Sequence, residues 1–251
     1  MPKFCANLTM LFTEYPLLER AMAAKRAGFE AVEILFPYDE NAAKLGTALA
    51  RSGLPLALIN CPPPNYDDRD GPRGFAAVVG QEARFQQAFR RAVRYAGALG
   101  AEHVHIMAGV AAGPAARHCF VQNLNWASGF APRQSLTIEP INETDMAGYF
   151  LNDFDLAMEV LEEVAAPNLH LQFDAYHAAK ITGDVSGTWD KVKSRVAHIQ
   201  VGGVPDRHEP SGGDFDYPAF FRLLDRQNYK GWVSGEYHPA ARTDENLSWI
   251  S

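Results

Sequence analysis

The chain has 251 residues, 47% of them hydrophobic and 21% charged, with a formal net charge of −7. That is enough material for one domain with a sizeable core, and the negative balance argues against an extended nucleic-acid or anionic-membrane surface. The opening MPKFCANLTMLFTEYPLLER meets charge and proline too early for a signal-peptide apolar region, and no run approaches the roughly 18 apolar residues of a membrane span.

Cys5, Cys61 and Cys119 are odd in number and widely spaced, which predicts neither a disulfide framework nor a zinc motif. The expectation is a cytoplasmic protein with no nucleic-acid or membrane partner. Apolar residues on outer helices would serve a homo-oligomer as well as the core.

In chain order, eight short β-rich runs stand out: Lys3–Leu8, Ala31–Phe36, Pro55–Asn60, His103–Met107, Leu136–Pro140, Leu169–Asp174, Val196–Val201 and Trp232–Tyr237. Between them lie patterns with apolar residues three and four apart, as amphipathic helices require. The first such pattern, through Leu17, Leu18, Ala21 and Met22, leads to Gly28. A later one, from Phe85 and Phe89 through Ala96, leads to Gly100, and another ends before Pro167. Strict alternation of strand and helix predicts a parallel sheet with right-handed crossovers. Eight units favour a closed (β/α)₈ TIM barrel over an open sheet, as one domain spanning 1–251 with a short final helix around Glu245–Ile250. Asn7-Leu8-Thr9-Met10 follows the first strand, where a dinucleotide-binding fold would carry its glycine fingerprint.

Two loops are rich in Pro, Gly and charge: Cys61 through Gly80 after the third strand, and Gly202 through Pro210 after the seventh. Both follow strands, which places them at the C-terminal face where barrels of this kind build their sites.

The strongest chemical signal is positional. Strands five to eight each carry an oxygen-bearing side chain near the C-terminal end: Glu139 in LTIEP, Asp174 in LQFDAYH, Gln200 in HIQVGG and Glu236 in SGEYHP. Three carboxylates converging in a barrel mouth repel one another unless a positive charge sits between them. An all-oxygen set suits one hard divalent cation, Mg²⁺ or Mn²⁺, better than zinc. Two positions earlier, on the same strand face, stand Thr137, Gln172, His198 and Ser234. This is a polar layer where apolar filling is the rule, and it is expected to support the metal site.

His177, three residues beyond Asp174, and Arg207, in PDRHEP, are candidates for substrate binding, the latter as a fork for a carboxylate. A loop histidine and a surface arginine paired with Asp206 or Glu209 are the blander alternatives. His105, inward on strand four, is also kept among the substrate-binding candidates, although a buried, hydrogen-bonded histidine explains it as well. Glu33 on strand two is a site-lining acid by the same placement. Trp126, Trp189, Phe85 and Phe89 read as packing aromatics.

Several long segments resemble the hydroxypyruvate isomerase family within the xylose isomerase-like barrels, a grouping that includes 2-oxo-tetronate isomerases and the tagatose and psicose epimerases. They are NLTMLFTEYPLLERA, AGFEAVEILFPYD, INCPPPNYDDRDGPRGFAA, HVHIMAG, IEPIN, LQFDAYHA, HIQVGGVPDRHEP, FDYPAFFRLLD and GWVSGEYHP. The resemblance covers nearly the whole chain. It implies that Glu139, Asp174, Gln200 and Glu236 bind the metal, that Glu139 and Glu236 also move protons as the catalytic acid and base, and that His177 and Arg207 contact substrate. It implies further an isomerase that converts hydroxypyruvate to tartronate semialdehyde, or acts on a 2-oxo-tetronate, through a cis-enediolate. Gln200 favours this branch over the sugar epimerases, which usually carry histidine there. Pro64-Asn65-Tyr66 departs from the Gly-Asp-Trp common in relatives.

The nearest alternative is a ketose 3-epimerase of the tagatose and psicose type, in which Arg207 would have no carboxylate to hold. An endonuclease-IV-like DNA repair enzyme shares the barrel but needs a histidine-rich zinc cluster and a basic face. A degenerate, purely structural barrel is expected to have lost at least one of the four ligands.

Overall fold

In the computed structural model, residues 1–61 and 72–250 are described. Eight parallel strands run in the order β2-β1-β8-β7-β6-β5-β4-β3. They are β1 (Lys3–Asn7), β2 (Ala31–Glu33), β3 (Leu58–Cys61), β4 (His103–Ile106), β5 (Ser135–Ile138), β6 (Leu169–Asp174), β7 (Val196–Val201) and β8 (Trp232–Gly235). Between β2 and β3, Val32 N–H donates to Pro55 O at 3.0 Å, and Ala57 N–H to Val32 O at 2.7 Å. These bonds bring the two ends of the sheet together and make a barrel of it. All eight runs read from the sequence are strands, each within a few residues of its expected bounds.

Helices α1 (Leu17–Arg26), α2 (Ala42–Ser52), α3 (Glu82–Leu99), α4 (Gly113–Phe130), α5 (Phe154–Val164), α6 (Ala175–Thr182), α7 (Val185–Val192) and α8 (Tyr217–Arg226) complete the crossovers. Their ends follow from local chemistry. The Asp153 side chain accepts from Leu156 N–H to start α5, and Asp216 accepts from Ala219 N–H to start α8. Gly100 at φ 70° closes α3 in the left-handed conformation that glycine adopts at little cost. In α8 the buried residues Tyr217, Phe220, Phe221 and Leu224 repeat at three- and four-residue spacing. Each contributes about 1.5–3 kcal/mol by leaving water, which holds α8 against the sheet.

The outward strand residues join this layer. Phe173 of β6 meets Phe154, Trp189 and Phe220 at centroid distances of 5.6, 5.5 and 6.2 Å. Phe85, Phe89 and Trp126 pack edge-on, as expected of structural aromatics. The short final helix takes the form of two 3₁₀ turns, Thr243–Glu245 and Ser248–Ile250. Trp249 in the second turn is buried against Phe4, Phe29 and Tyr237 and donates its indole N–H to Tyr237 Oη at 3.1 Å. Among the described residues no helix is long and apolar enough to cross a membrane.

Candidate active site

The C-terminal ends of β5 to β8 deliver the side chains. Glu139 immediately follows β5, Asp174 ends β6, Gln200 is the penultimate residue of β7, and Glu236 immediately follows β8. All four are buried. Asp174 does two things at once: Oδ1 caps α6 by accepting from Tyr176 N–H at 2.8 Å, while Oδ2 turns to the mouth. The capping role and the site role are therefore compatible, because a carboxylate has an oxygen for each.

Beneath them lies the polar layer. Thr137 donates to Gln172 Oε1 at 3.0 Å, which commits the Gln172 amide N–H₂ to the other side. There it donates to Glu139 Oε2 at 3.0 Å and to Gln200 Oε1 at 2.6 Å. Gln200 in turn donates to Glu33 Oε1 at 2.9 Å, and Glu33 also receives Asn7 Nδ2 at 2.8 Å and pairs with His198 Nε2 at 2.6 Å. Thr137 and Gln172 thus connect to Glu139 and Gln200, and His198 connects to Gln200 through Glu33. Ser234, buried and in register with Cys5, makes no hydrogen bond to the four side chains among the described residues.

Charge sets the character of the mouth. Burial first, then the charges of Glu236 and Asp174, push the Glu139 carboxyl well above the usual range. Burial likewise raises Glu236 to about 8, against the opposing pull of Arg207. Arg207 Nη2 lies 2.9 Å from Asp174 Oδ2 and 3.3 Å from Glu236 Oε2, and Nη1 lies 3.7 Å from Asp145 Oδ2. Burial pulls the guanidinium pKa down, but Glu236, Asp174, Glu139 and Asp145 together carry it above its ordinary value. Its charge also sits 4.9 Å from the Tyr176 ring centre, a cation–π contact.

The loop after β7 is built to present this arginine. A Cβ on Gly202 would lie 2.9 Å from Glu236 O and 3.1 Å from Arg207 Cγ, and one on Gly203 would lie 2.5 Å from Glu209 O. Glycine at both positions lets the loop fold back on itself, with Arg207 N–H donating to Gly203 O at 2.7 Å. Arg207 pays with a left-handed backbone, φ 55°, the sort of local strain that tends to collect at functional sites.

His177 points into the same mouth from the first turn of α6, with Nε2 3.6 Å from Asp174 Oδ2 and 3.9 Å from Glu139 Oε1. Burial lowers its pKa to about 4. Glu139, Asp174 and His177 place donor atoms within 4.8 Å of one another and could hold a metal ion. Gln200 borders that group through Gln172, and Glu236 through Arg207. His105 lies 3.7 Å from Glu139 Oε2, with Nδ1 against Asn60 Oδ1 at 3.2 Å, and burial takes its pKa to about 3. It is a buried neutral neighbour of the group.

Asn7, Asn60, Asn142 and Asp145 also belong to the mouth and were not singled out from sequence. Each is a single polar residue in or beside a loop, with no periodicity to mark it. Pro64-Asn65-Tyr66 lies outside the described residues. A cavity of about 840 Å³ opens at the opposite end of the barrel, bordered by Glu102, His103 and His170. It is remote from the carboxylates that converge at the C-terminal mouth.

Comparison with known proteins identifies the family of this barrel. The xylose isomerase-like TIM barrel family model matches residues 21–251. A 2-oxo-tetronate isomerase of Cupriavidus necator is 43% identical, covering 100% of this chain and 98% of its own length. A hydroxypyruvate isomerase of Escherichia coli is 34% identical, with the same two coverages. Among solved structures, a protein of Brucella melitensis named AP endonuclease, family 2, superposes with a TM-score of 0.95 at 38% identity, covering 100% of this chain and 98% of that one.

Proposed function

The chain belongs to the xylose isomerase-like TIM barrel family and is an isomerase of the group that includes hydroxypyruvate and 2-oxo-tetronate isomerases, and from that premise we propose that it interconverts small 2-oxo acids bearing a neighbouring hydroxyl, hydroxypyruvate and tartronate semialdehyde first among them, with one divalent metal. The observation that carries this reading is the pairing of buried Asp174 and Glu236 with the guanidinium of Arg207, with the buried carboxyl of Glu139 beside Asp174.

The donor set fits a hard cation. Two carboxyls with raised pKa values and a third beside them gain when a cation takes the place of protons. Glu139, Asp174, Gln200 and Glu236 would hold Mg²⁺ or Mn²⁺, with Gln200 contributing its amide oxygen. When bound, the metal supplies Lewis-acid stabilisation of negative charge on neighbouring substrate oxygens.

The chain's own residues do the rest. Glu139 and Glu236 come from strands three positions apart in the ring and serve as base and acid on the substrate carbons. One carboxylate removes a proton from the hydroxyl-bearing carbon, and that C–H electron pair becomes the double bond of a cis-enediolate. The other glutamate returns a proton to the former carbonyl carbon, and the hydroxyl proton passes from one oxygen to the other. Arg207 carries the positive fork that suits a substrate carboxylate, and His177 and His105 line the place where substrate oxygens lie.

Arg207 also bears on the ketose 3-epimerase alternative. A neutral sugar offers the guanidinium no carboxylate, whereas a 2-oxo acid does. A screen of metal-loaded protein against hydroxypyruvate, 2-oxo-tetronates and free ketoses tests the reading. Turnover of the acids with little on ketoses is expected; preferential epimerisation of ketoses would replace this reading with the alternative.

A further inference from the structure

The loop that follows β5 holds an asparagine whose side-chain orientation is fixed by the backbone. Asn142 is buried, and its Oδ1 accepts from the Asp145 N–H at 3.0 Å. An amide N–H can only donate, so this bond settles which end of the Asn142 amide is oxygen. The other end, Nδ2, lies 2.7 Å from His177 Nδ1. Because Nδ2 donates, Nδ1 must carry a lone pair. A doubly protonated ring would set two donors against each other at that distance. The single ring proton of neutral His177 therefore sits on Nε2, the nitrogen 3.6 Å from Asp174 Oδ2 and 3.9 Å from Glu139 Oε1.

We propose that Asn142 is a positioning residue that locks His177 in the Nε2–H tautomer, making it a hydrogen-bond donor in the mouth and keeping it out of the metal's ligand set. An imidazole nitrogen that bears a proton has no lone pair for a metal. Glu139, Asp174 and His177 are close enough together to bind one ion, yet the asparagine reserves the histidine for an acceptor. In the proposed reaction, on which this assignment of a partner rests, that acceptor is a carbonyl or hydroxyl oxygen of the substrate. The Asp145 N–H starts the relay, Asn142 transmits it, and His177 delivers it. The residual ligands are then oxygen donors only, which deepens the preference for a hard cation over zinc.

The test is a long-range ¹H–¹⁵N correlation spectrum of the histidine rings in metal-free protein at neutral pH. The His177 signals are assigned by their loss in His177→Gln. The expected pattern is a protonated Nε2 and a bare Nδ1; the reverse pattern, in the unmodified protein, overturns the proposal. In Asn142→Asp the new carboxylate can only accept, so the proton should move to Nδ1. A folded Asn142→Asp protein that keeps the Nε2–H pattern would also overturn it. With a turned-over substrate, kcat/KM of Asn142→Asp should fall about tenfold, the loss of one hydrogen bond. The spectrum uses neither substrate nor metal, so a failed activity screen would count against the proposed reaction while the tautomer is read on its own.

Discussion

The amide of Gln200 donates to the carboxylate of Glu33 at 2.9 Å across the barrel interior. This bond decides which atom Gln200 turns toward its other neighbours. With Nε2 held by Glu33, Oε1 is left for Gln172 and for a cation. Glu33→Gln would replace an acceptor-only group with an amide that can itself donate, and the Gln200 orientation would be lost. Titration calorimetry with Mn²⁺ should show a loss of about ten- to hundredfold in affinity, the usual effect of removing a supporting partner behind a ligand. Unchanged affinity would mean that Gln200 takes no part in metal binding.

Arg207 is held by Asp174, Glu236 and Asp145 and by the face of Tyr176. Arg207→Lys keeps the charge and loses the planar fork. Steady-state kinetics on a 2-oxo acid should show kcat/KM reduced by about ten- to hundredfold, the range for a charge-assisted hydrogen bond. If Lys at this position left the acid kinetics intact, the fork would have no role in recognition.

His103 starts β4 at the end of the barrel away from the mouth, buried and within 2.8 Å of Ser135 Oγ. Burial, helped by His198 and His170, lowers its pKa from 6.5 to about 3. The unfolded chain therefore binds a proton in a pH range where the folded chain does not. The corresponding stability is fully present above pH 6.5 and is lost as pH falls toward 3. Urea unfolding across that window should be less steeply pH-dependent in His103→Gln than in wild type, by up to about 1.4 kcal/mol per pH unit. Parallel profiles for the two proteins would show that His103 is already protonated in the fold.

Much of this was legible in the sequence because strands impose a period of two. Once LTIEP, LQFDAYH, HIQVGG and SGEYHP are read as strand ends, Glu139, Asp174, Gln200 and Glu236 must converge, and Thr137, Gln172 and His198 must lie beneath them. What the pattern leaves open depends on loops and on contacts across the barrel. Arg207 reaches Asp174 and Glu236 only because Gly202 and Gly203 allow the chain to fold back and Arg207 accepts a left-handed backbone. Asn142 acts through a backbone N–H three residues on, which composition does not mark. Glu33 was placed as a lining acid, but its role depends on partners from β1 and β7 that meet only when the sheet closes. Ser234 shows the limit of the period-two rule: it shares the strand face of Glu236 yet joins no part of the network that supports the four side chains.

In the proposed reaction Glu139 and Glu236, at one metal site, carry the proton between neighbouring carbons. The most direct measurement is ¹H NMR of hydroxypyruvate turnover by metal-loaded protein in D₂O, made on wild type, Glu139→Gln and Glu236→Gln, with the fold of each checked by circular dichroism. Wild type should form tartronate semialdehyde with solvent deuterium on the new C–H carbon, and both folded variants should be inactive. Near-normal turnover in either folded variant would show that its glutamate does not move the proton.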